Sequence, residues 1–127
     1  MKQAEAILAK RVAIWLRTSH RDILWRFDLA ADVKTTIGVA MRFKEMNPHL
    51  GWPDLFISEA RGGYHGLYIE IKKDRSEVFT KSGTLRKNRH IREQAIIHEE
   101  LRRRGYRVEW GFSFEGITSL IDSYLVS

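Results

Sequence analysis

The chain of 127 residues contains no cysteine, only two prolines, and no apolar run that could cross a membrane. Without cysteine there is no disulfide framework, no thiolate zinc site and no thiol nucleophile. A transmembrane helix needs about 20 mostly apolar residues, so we expect no membrane partner. The N-terminus does not have the pattern of a signal peptide. Fourteen aromatic residues argue against disorder, so we expect one compact cytoplasmic domain over residues 1–127.

The chain also lacks the signatures of several common catalytic sites. It has no glycine-rich phosphate loop, no serine in a nucleophile elbow, and no histidine pair at the spacing of zinc ligands. These absences argue against nucleotide hydrolysis, serine-based acyl transfer and a zinc centre.

Positive charge is concentrated in one part of the chain. The net charge is +6, and residues 72–107 hold twelve basic and five acidic side chains, whereas the other residues hold ten and eleven. Such a segment favours a polyanion as partner, although a solvated helix face would have a similar composition. The candidate contacts to nucleic acid are Lys73, Arg75, Lys81, Arg86, Lys87 and Arg89.

Hydrophobic periodicity predicts an alternation of helices and strands. The helices are expected at residues 4–16, 89–104 and 114–126, with a short one from a cap at Thr35 and Thr36 to about Lys44. The strands are expected at residues 23–29, 55–58, 66–72 and 107–111, with the middle two forming an antiparallel hairpin. Residues 73–88 are polar and aperiodic, so we expect a flexible loop there. This order predicts an α/β or α+β domain with a mixed sheet.

The predicted strand at residues 66–72 carries charges on one face only. Because side chains alternate between the two faces of a strand, its aliphatic residues point to one side, and Glu70 and Lys72 point to the other. A charge in such a strand needs a partner or a function. The two residues form either an ordinary ion pair on an exposed sheet face or part of a site.

Asp54 is expected to lie near Glu70, because it begins the preceding strand of the hairpin. Two carboxylates that approach each other repel unless a cation lies between them. Oxygen ligands with open positions for water and phosphate suit Mg²⁺ or Mn²⁺. The alternative is that Asp54, which follows Pro53, is an ordinary turn residue.

Three polar residues lie on predicted helices near their apolar faces. Glu5 borders the apolar face of the first helix, where it is either a site residue or a first-turn acid favoured by the helix dipole. Gln94 shares a face with Ile91 and His98, and a structural amide is the simpler interpretation. We expect His98 to be a partly buried packing residue.

Two motifs, Pro53-Asp54 and Glu70-Ile71-Lys72, together resemble the signature of PD-(D/E)XK nucleases. The longer run Gly51-Trp52-Pro53-Asp54-Leu55 is similar to the G-x-P-D-L motif of the VRR-NUC family, the virus-type replication and repair nucleases. Further similarities are Glu5 in an early helix, Gln94 in the helix after the lysine, and Gly105 at the end of that helix. The resemblance covers nearly the whole chain and implies a single VRR-NUC domain. The long basic segment at residues 73–88 departs from the family pattern.

The resemblance implies a fold and a metal site. The fold would be a PD-(D/E)XK restriction-endonuclease-like core, an α/β structure with a four-stranded mixed sheet flanked by helices. Asp54, Glu70 and the backbone carbonyl of Ile71 would bind Mg²⁺ or Mn²⁺. Lys72 would orient the attacking water or stabilise charge at the phosphate.

The resemblance also implies a reaction and partners. Glu5 would complete the acidic cluster, and Gln94 would position the lysine or the scissile phosphate. The reaction would be metal-dependent hydrolysis of DNA phosphodiester bonds. Stand-alone family members resemble Holliday junction resolvases that act as symmetric dimers, so the implied partners are a four-way DNA junction and a second copy. A non-catalytic nucleic-acid-binding module and a nuclease for flaps or linear duplex are the alternatives.

Overall fold

A computed structural model describes residues 2–28 and 35–127 of the chain. Its elements follow in the order α1 (Gln3–Ser19), β1 (Trp25–Phe27), α2 (Ile37–Met46), β2 (Leu55–Ile57), β3 (Leu67–Ile71), α3 (Arg89–Arg103), β4 (Arg107–Gly111) and α4 (Phe114–Leu125). The predicted end of the first strand, Leu29, lies outside the described residues. Within the described ranges, no helix combines the length and apolar character that crossing a membrane requires.

The four strands form one mixed sheet in the order β1-β2-β3-β4. β1 pairs with β2, and β2 with β3, in antiparallel orientation, whereas β3 and β4 are parallel. The parallel pair requires a crossover, which α3 provides. The predicted hairpin and the predicted α/β fold with a four-stranded mixed sheet are both confirmed.

Local signals in the sequence explain where the helices begin and end. Thr36 caps α2 by accepting a hydrogen bond from the Val39 N–H at 3.3 Å, and Ser113 caps α4 by accepting one from the Gly116 N–H at 3.0 Å. Helix α3 ends before Gly105, whose φ of +94° is the left-handed conformation that glycine adopts at low cost. The chain can therefore turn at Gly105 directly into β4.

One face of the sheet packs against α1 and α4 and forms the main core. The fully buried side chains on this face of β2 and β3 are Leu55, Ile57, Leu67, Ile69 and Ile71. The opposite face carries Tyr68 and Glu70, and α3 packs there against β4. Since the aliphatic residues of β3 occupy the first face, its polar residues are directed towards α3.

Residues 73–88 are folded, so the prediction of a flexible loop is wrong. They contain a 3₁₀ helix at Arg75–Glu77 and a tight turn in which the Thr80 N–H donates to the Thr84 carbonyl at 2.8 Å. The Arg86 N–H donates to the Val78 carbonyl at 2.8 Å, and the Val78 side chain is fully buried. Hydrophobic periodicity did not predict the structure of this segment, because local hydrogen bonds define it and no apolar pattern repeats along it.

Candidate active site

Asp54 is tied to the end of β3. It directly precedes β2, and its Oδ2 accepts a hydrogen bond from the Ile71 N–H at 2.8 Å. Its side chain is also hydrogen-bonded to the carboxyl group of Glu70, which is only 2% exposed. The structure therefore brings the two predicted carboxylates together. Asp54 does more than occupy a turn, since its carboxylate satisfies a backbone donor of the neighbouring strand.

Burial raises the pKa of both carboxyl groups, and Asp54 raises the pKa of Glu70 further. Burial and the nearby charge of Asp54 raise the pKa of Glu70 to about 11. Burial also raises the pKa of Asp54, while hydrogen bonds from Glu70 and the Ile71 backbone oppose that rise. Without a cation, the pair therefore retains a proton at neutral pH.

Lys72 and Glu5 line a cleft beside this carboxyl pair. Lys72 is 5% exposed and Glu5 is 6% exposed. Because Glu70 and Lys72 are both buried, they do not form an ordinary ion pair on an exposed sheet face. The cleft has a volume of about 430 Å³, and its lining residues are Lys2, Glu5, Lys72, Glu77, Asn88, His90 and Ile91. Burial raises the pKa of Glu5, whereas the Lys72 ammonium lowers it. Helix α1, β3 and α3 thus converge on one polar cleft.

Gln94 lies on the buried face of α3 close to the loop that carries Asp54. It is 5% exposed, and within the described part of the chain its Oε1 has no hydrogen-bond partner. Gly51 lies against the α3 backbone at this point, because a Cβ added to it would be 2.7 Å from the carbonyl oxygen of Glu93. The glycine of the G-x-P-D-L motif therefore allows close contact between this loop and α3.

His98 is a contact of the carboxyl pair that sequence analysis treated as a packing residue. Its Nε2 lies 3.1 Å from Oε1 of Glu70, and both side chains are almost fully buried. Burial, followed by the charge of Arg102, lowers the pKa of His98 to about 4, so the ring is neutral. The sequence indicated this contact only through the position of His98, which lies one helical turn after Gln94.

The side chains at this site fit a hard divalent cation. Asp54 and Glu70 are oxygen donors whose mutual repulsion a cation would relieve. Across residues 2–28 and 35–127, no group of three or more acidic, histidine or cysteine side chains is placed to hold a metal ion. Two carboxylates are nevertheless sufficient for Mg²⁺, which is commonly bound by one or two carboxylates together with water and substrate phosphate.

The six basic residues predicted to contact nucleic acid are all exposed and lie in or beside the folded segment 73–88. Arg75 packs over the ring of Phe79 at 4.4 Å, and Arg86 donates from Nε to the Ser76 carbonyl. Lys87 lines a second cavity, of about 390 Å³, that shares Glu77 and Asn88 with the first cleft. Positive charge therefore flanks the cleft on the side of this segment.

The basic residues at the far end of α3 are engaged differently. Arg102 pairs with Glu99 at 3.0 Å, and Arg103 and Arg104 both pair with Glu100. Since α3 has 15 residues, this end lies about 22 Å from its beginning at the cleft. The positive excess of residues 72–107 is thus divided between charges near the cleft, of which Arg89 pairs with Glu93 at 2.9 Å, and charges that pair with Glu99 and Glu100 at the far end of the helix.

Comparison with known proteins agrees with this fold. No family model and no curated protein matches the chain. A solved structure described as a VRR_NUC domain protein does match, with 28% sequence identity, a TM-score of 0.67, and coverage of 96% of this chain and 88% of the other. The match therefore supports the resemblance of this chain to the VRR-NUC family of nuclease domains.

Proposed function

We propose that this protein is a metal-dependent endonuclease that hydrolyses phosphodiester bonds in branched DNA, with the four-way junction as its substrate. The observation that supports this most directly is the pair formed by the half-buried Asp54 and the buried Glu70 beside the buried Lys72. Burying two acids and a lysine together is costly for folding unless the charges are used. A binding module without catalysis would not need this arrangement.

Asp54, Glu70 and the backbone carbonyl of Ile71 would hold Mg²⁺ or Mn²⁺, which would activate water and neutralise charge on the phosphate. The Ile71 N–H keeps the Asp54 carboxylate facing the end of β3. The Lys72 ammonium lowers the pKa of both carboxyl groups, so it acts across the site and can stabilise negative charge that develops on the phosphate.

Glu5 and Gln94 would complete the site from the two helices. The Glu5 carboxylate faces the cleft, where it adds negative charge beside the carboxyl pair. The Gln94 amide oxygen is a buried acceptor to which no described residue donates, so it could accept a hydrogen bond from the Lys72 ammonium. The amide NH2 group could donate to the scissile phosphate. Removing either residue should reduce turnover without removing the metal ligands.

Lys73, Arg75, Lys81, Arg86, Lys87 and Arg89 would bind the DNA backbone beside the cleft. Contacts to phosphate fix the position of a protein on DNA without reading its sequence. Selectivity would therefore come from the shape of the DNA, as expected for a nuclease that acts on branches.

A symmetric homodimer would supply the two cuts that a four-way junction requires. The described chain contains one Asp54–Glu70–Lys72 site, and twofold symmetry would place two such sites on a twofold substrate. Six of the twelve exposed large apolar side chains recorded in the described ranges lie in one short segment. They are Ile37, Met41, Phe43, Met46, Leu50 and Trp52.

Helix α2 is the part of this segment best suited to contact a second copy. None of its ten residues is buried, although several are large and apolar. Aromatic residues are enriched at protein interfaces, but three of the four tryptophans pack inside this domain. Trp15 and Trp25 pack against the core, and Trp110 packs against His98, which leaves Trp52 exposed.

The direct test compares substrates and metals. The protein is incubated with a four-way junction, a flap and a linear duplex, each with Mg²⁺, Mn²⁺ or EDTA. We expect symmetric cutting of the junction with either metal and none in EDTA. Preferred cutting of flaps or linear duplex would assign a different substrate, and binding without cutting in any metal would identify a non-catalytic module.

Two variants separate metal binding from chemistry. Asp54→Ala should lose Mn²⁺ binding in calorimetry and lose cleavage, while junction binding persists. Lys72→Ala should keep Mn²⁺ binding but lose cleavage, because a preorganised charge at the transition state contributes about 3 kcal/mol, a factor of more than 100 in rate. Lost metal affinity with unchanged turnover in Lys72→Ala would contradict its role.

A further inference from the structure

His98 touches the proposed site only through Glu70. Its Nε2 lies 3.1 Å from Oε1 of Glu70, and the exposed fractions of the two side chains are 1% and 2%. The imidazole ring also packs against Trp110 with 4.6 Å between ring centroids. Because Glu70 and Trp110 are register partners on the adjacent strands β3 and β4, the ring is held between the sheet and α3.

The direction of the hydrogen bond follows from the chemistry of the two groups. A Glu70 carboxylate that binds a cation is ionised, so its oxygens can only accept hydrogen bonds. His98 must then donate from Nε2, which makes Nδ1 the unprotonated nitrogen of a neutral ring. In the structure, Nδ1 is buried and no described residue bonds to it. The surroundings of Nδ1 therefore require no proton there, and the Nε2–H tautomer satisfies the only partner present.

We propose that His98 is a positioning residue that donates a hydrogen bond from Nε2 to Oε1 of Glu70 and thereby orients this carboxylate for a divalent cation. This inference rests on the proposed metal-dependent function. One carboxylate oxygen is fixed by His98, so the other is left for Asp54 or the cation. The second coordination shell of a metal orients its ligands in this way, and its loss typically lowers metal affinity about 10- to 100-fold.

The experiment measures Mn²⁺ binding by calorimetry on the intact protein without DNA. His98→Leu keeps a branched apolar side chain but has no donor, and we expect its affinity for Mn²⁺ to fall by about 10- to 100-fold. His98→Gln places an amide donor near the position of Nε2, and we expect it to restore most of the affinity. Rescue by Gln distinguishes hydrogen-bond donation from packing, because Gln fills the space against Trp110 less well than the imidazole.

A control variant separates positioning from stability. Leu101 lies on the same buried face of α3 and is not in the described cleft. Leu101→Val should lower the unfolding temperature and leave the Mn²⁺ affinity unchanged. If His98→Leu lowers only the unfolding temperature, as Leu101→Val does, His98 is a packing residue and the inference is wrong.

A second measurement does not depend on how the variants fold. In the wild-type protein labelled with ¹⁵N-histidine, NMR should show His98 as a neutral ring with its proton on Nε2, both with and without Mg²⁺. A proton on Nδ1 would overturn the inference while leaving the proposed function intact. Absence of any metal binding by the wild-type protein would overturn both.

Discussion

Glu70 is buried between two partners of different kinds, the carboxyl group of Asp54 and the neutral ring of His98. A buried carboxylate is unfavourable without a compensating charge, so the metal-free site stores a proton where the metal-bound site would have a cation. Binding of a cation would then release this proton, and metal affinity would rise with pH. The same residue therefore links pH, metal binding and stability.

We predict that the stability of the metal-free protein falls as pH rises from 7 to 9, above the range in which the lowered pKa of His98 gives the opposite slope. The ordinary pKa of Glu70 is 4.5 and its folded value is about 11, so in this range the folded state keeps a proton that the unfolded state has lost. Stability decreases with pH wherever the folded state binds more protons, by at most about 1.4 kcal/mol per pH unit for one group. Thermal unfolding in EDTA measures this slope.

Glu70→Gln should flatten that slope, because its side chain does not titrate. Glu99→Gln is the control, since Glu99 is exposed on the same protein and lies outside the cleft. Equal slopes in the wild-type protein and in Glu70→Gln would show that Glu70 is already ionised without metal. Addition of Mg²⁺ should raise the unfolding temperature of the wild-type protein most strongly at high pH.

At the scale of elements, the site depends on how closely α3 and its neighbouring segments approach each other. The loop before β2 contacts α3 through Gly51, and the folded segment 73–88 leads into the beginning of the helix. Neither contact comes from a regular apolar stripe. Both place functional side chains, Asp54 in the first case and the basic residues in the second.

We predict that Gly51→Ala destabilises the protein more than Gly63→Ala. Both glycines have left-handed φ values, +91° and +86°, but a Cβ at Gly51 would lie 2.7 Å from the Glu93 carbonyl oxygen, whereas nothing lies within 4 Å at Gly63. The backbone strain is therefore similar, and overpacking adds about 1–3 kcal/mol at Gly51 only. Urea unfolding of the two variants tests this, and equal losses would mean that the loop adjusts freely.

The folded basic segment leads to a prediction about salt. Each phosphate contact contributes about 0.9 to the slope of log K against log salt on duplex DNA. Replacement of Arg86, Lys87 and Arg89 by Gln should therefore lower the magnitude of this slope for junction binding by up to about 2.7. Arg89 should contribute least, because it already pairs with Glu93 at 2.9 Å. Fluorescence anisotropy at several salt concentrations measures the slope.

The matched control removes the same charge at the other end of α3. Arg102, Arg103 and Arg104 are paired with Glu99 and Glu100, so their replacement by Gln should leave the slope nearly unchanged. If both triple variants change the slope equally, binding responds to net charge and not to a defined surface.

At the scale of the whole molecule, the exposed large apolar side chains are concentrated in the segment from Ile37 to Trp52. Large exposed apolar patches on a folded protein mark interaction surfaces. The proposed resolution of a four-way junction, which takes two cuts, favours a second copy as the occupant of this surface. Isologous contact would let the same helix serve both copies.

We predict that the protein is a dimer at micromolar concentration and that Met41→Glu converts it to a monomer. Met41 is 57% exposed on a helix with no buried residue, so the substitution should not affect folding of the single chain. Light scattering gives the mass in solution. In a cruciform plasmid assay, the dimer should yield linear product directly, and the monomeric variant should accumulate nicked circles.

The control for this prediction is Ile96→Glu. Ile96 is 63% exposed on α3 and is not part of the apolar segment that contains α2. We expect it to stay dimeric and to cut both strands. A wild-type protein that is already monomeric, or a Met41→Glu variant that stays dimeric, would exclude α2 as the interface.

The sequence by itself determined the elements and the composition of the site. Alternation along residues 66–72 separated Glu70 and Lys72 from the aliphatic face of β3, and the hairpin placed Asp54 beside Glu70. Periodicity also located α3 and β4 closely, and Gly105 marked the end of the helix. These inferences succeed because side-chain direction within a strand or helix follows from local geometry.

Only the tertiary structure decided which side chains lie together across different elements. The contact of His98 with Glu70 depends on how α3 crosses the sheet, and that crossing results from packing between distant residues. The fold of residues 73–88 depends on local hydrogen bonds that leave no repeating pattern. The pairing of Arg103 and Arg104 with Glu100 likewise reduced the apparent basic surface, because net charge counts residues whereas a surface depends on which charges have partners.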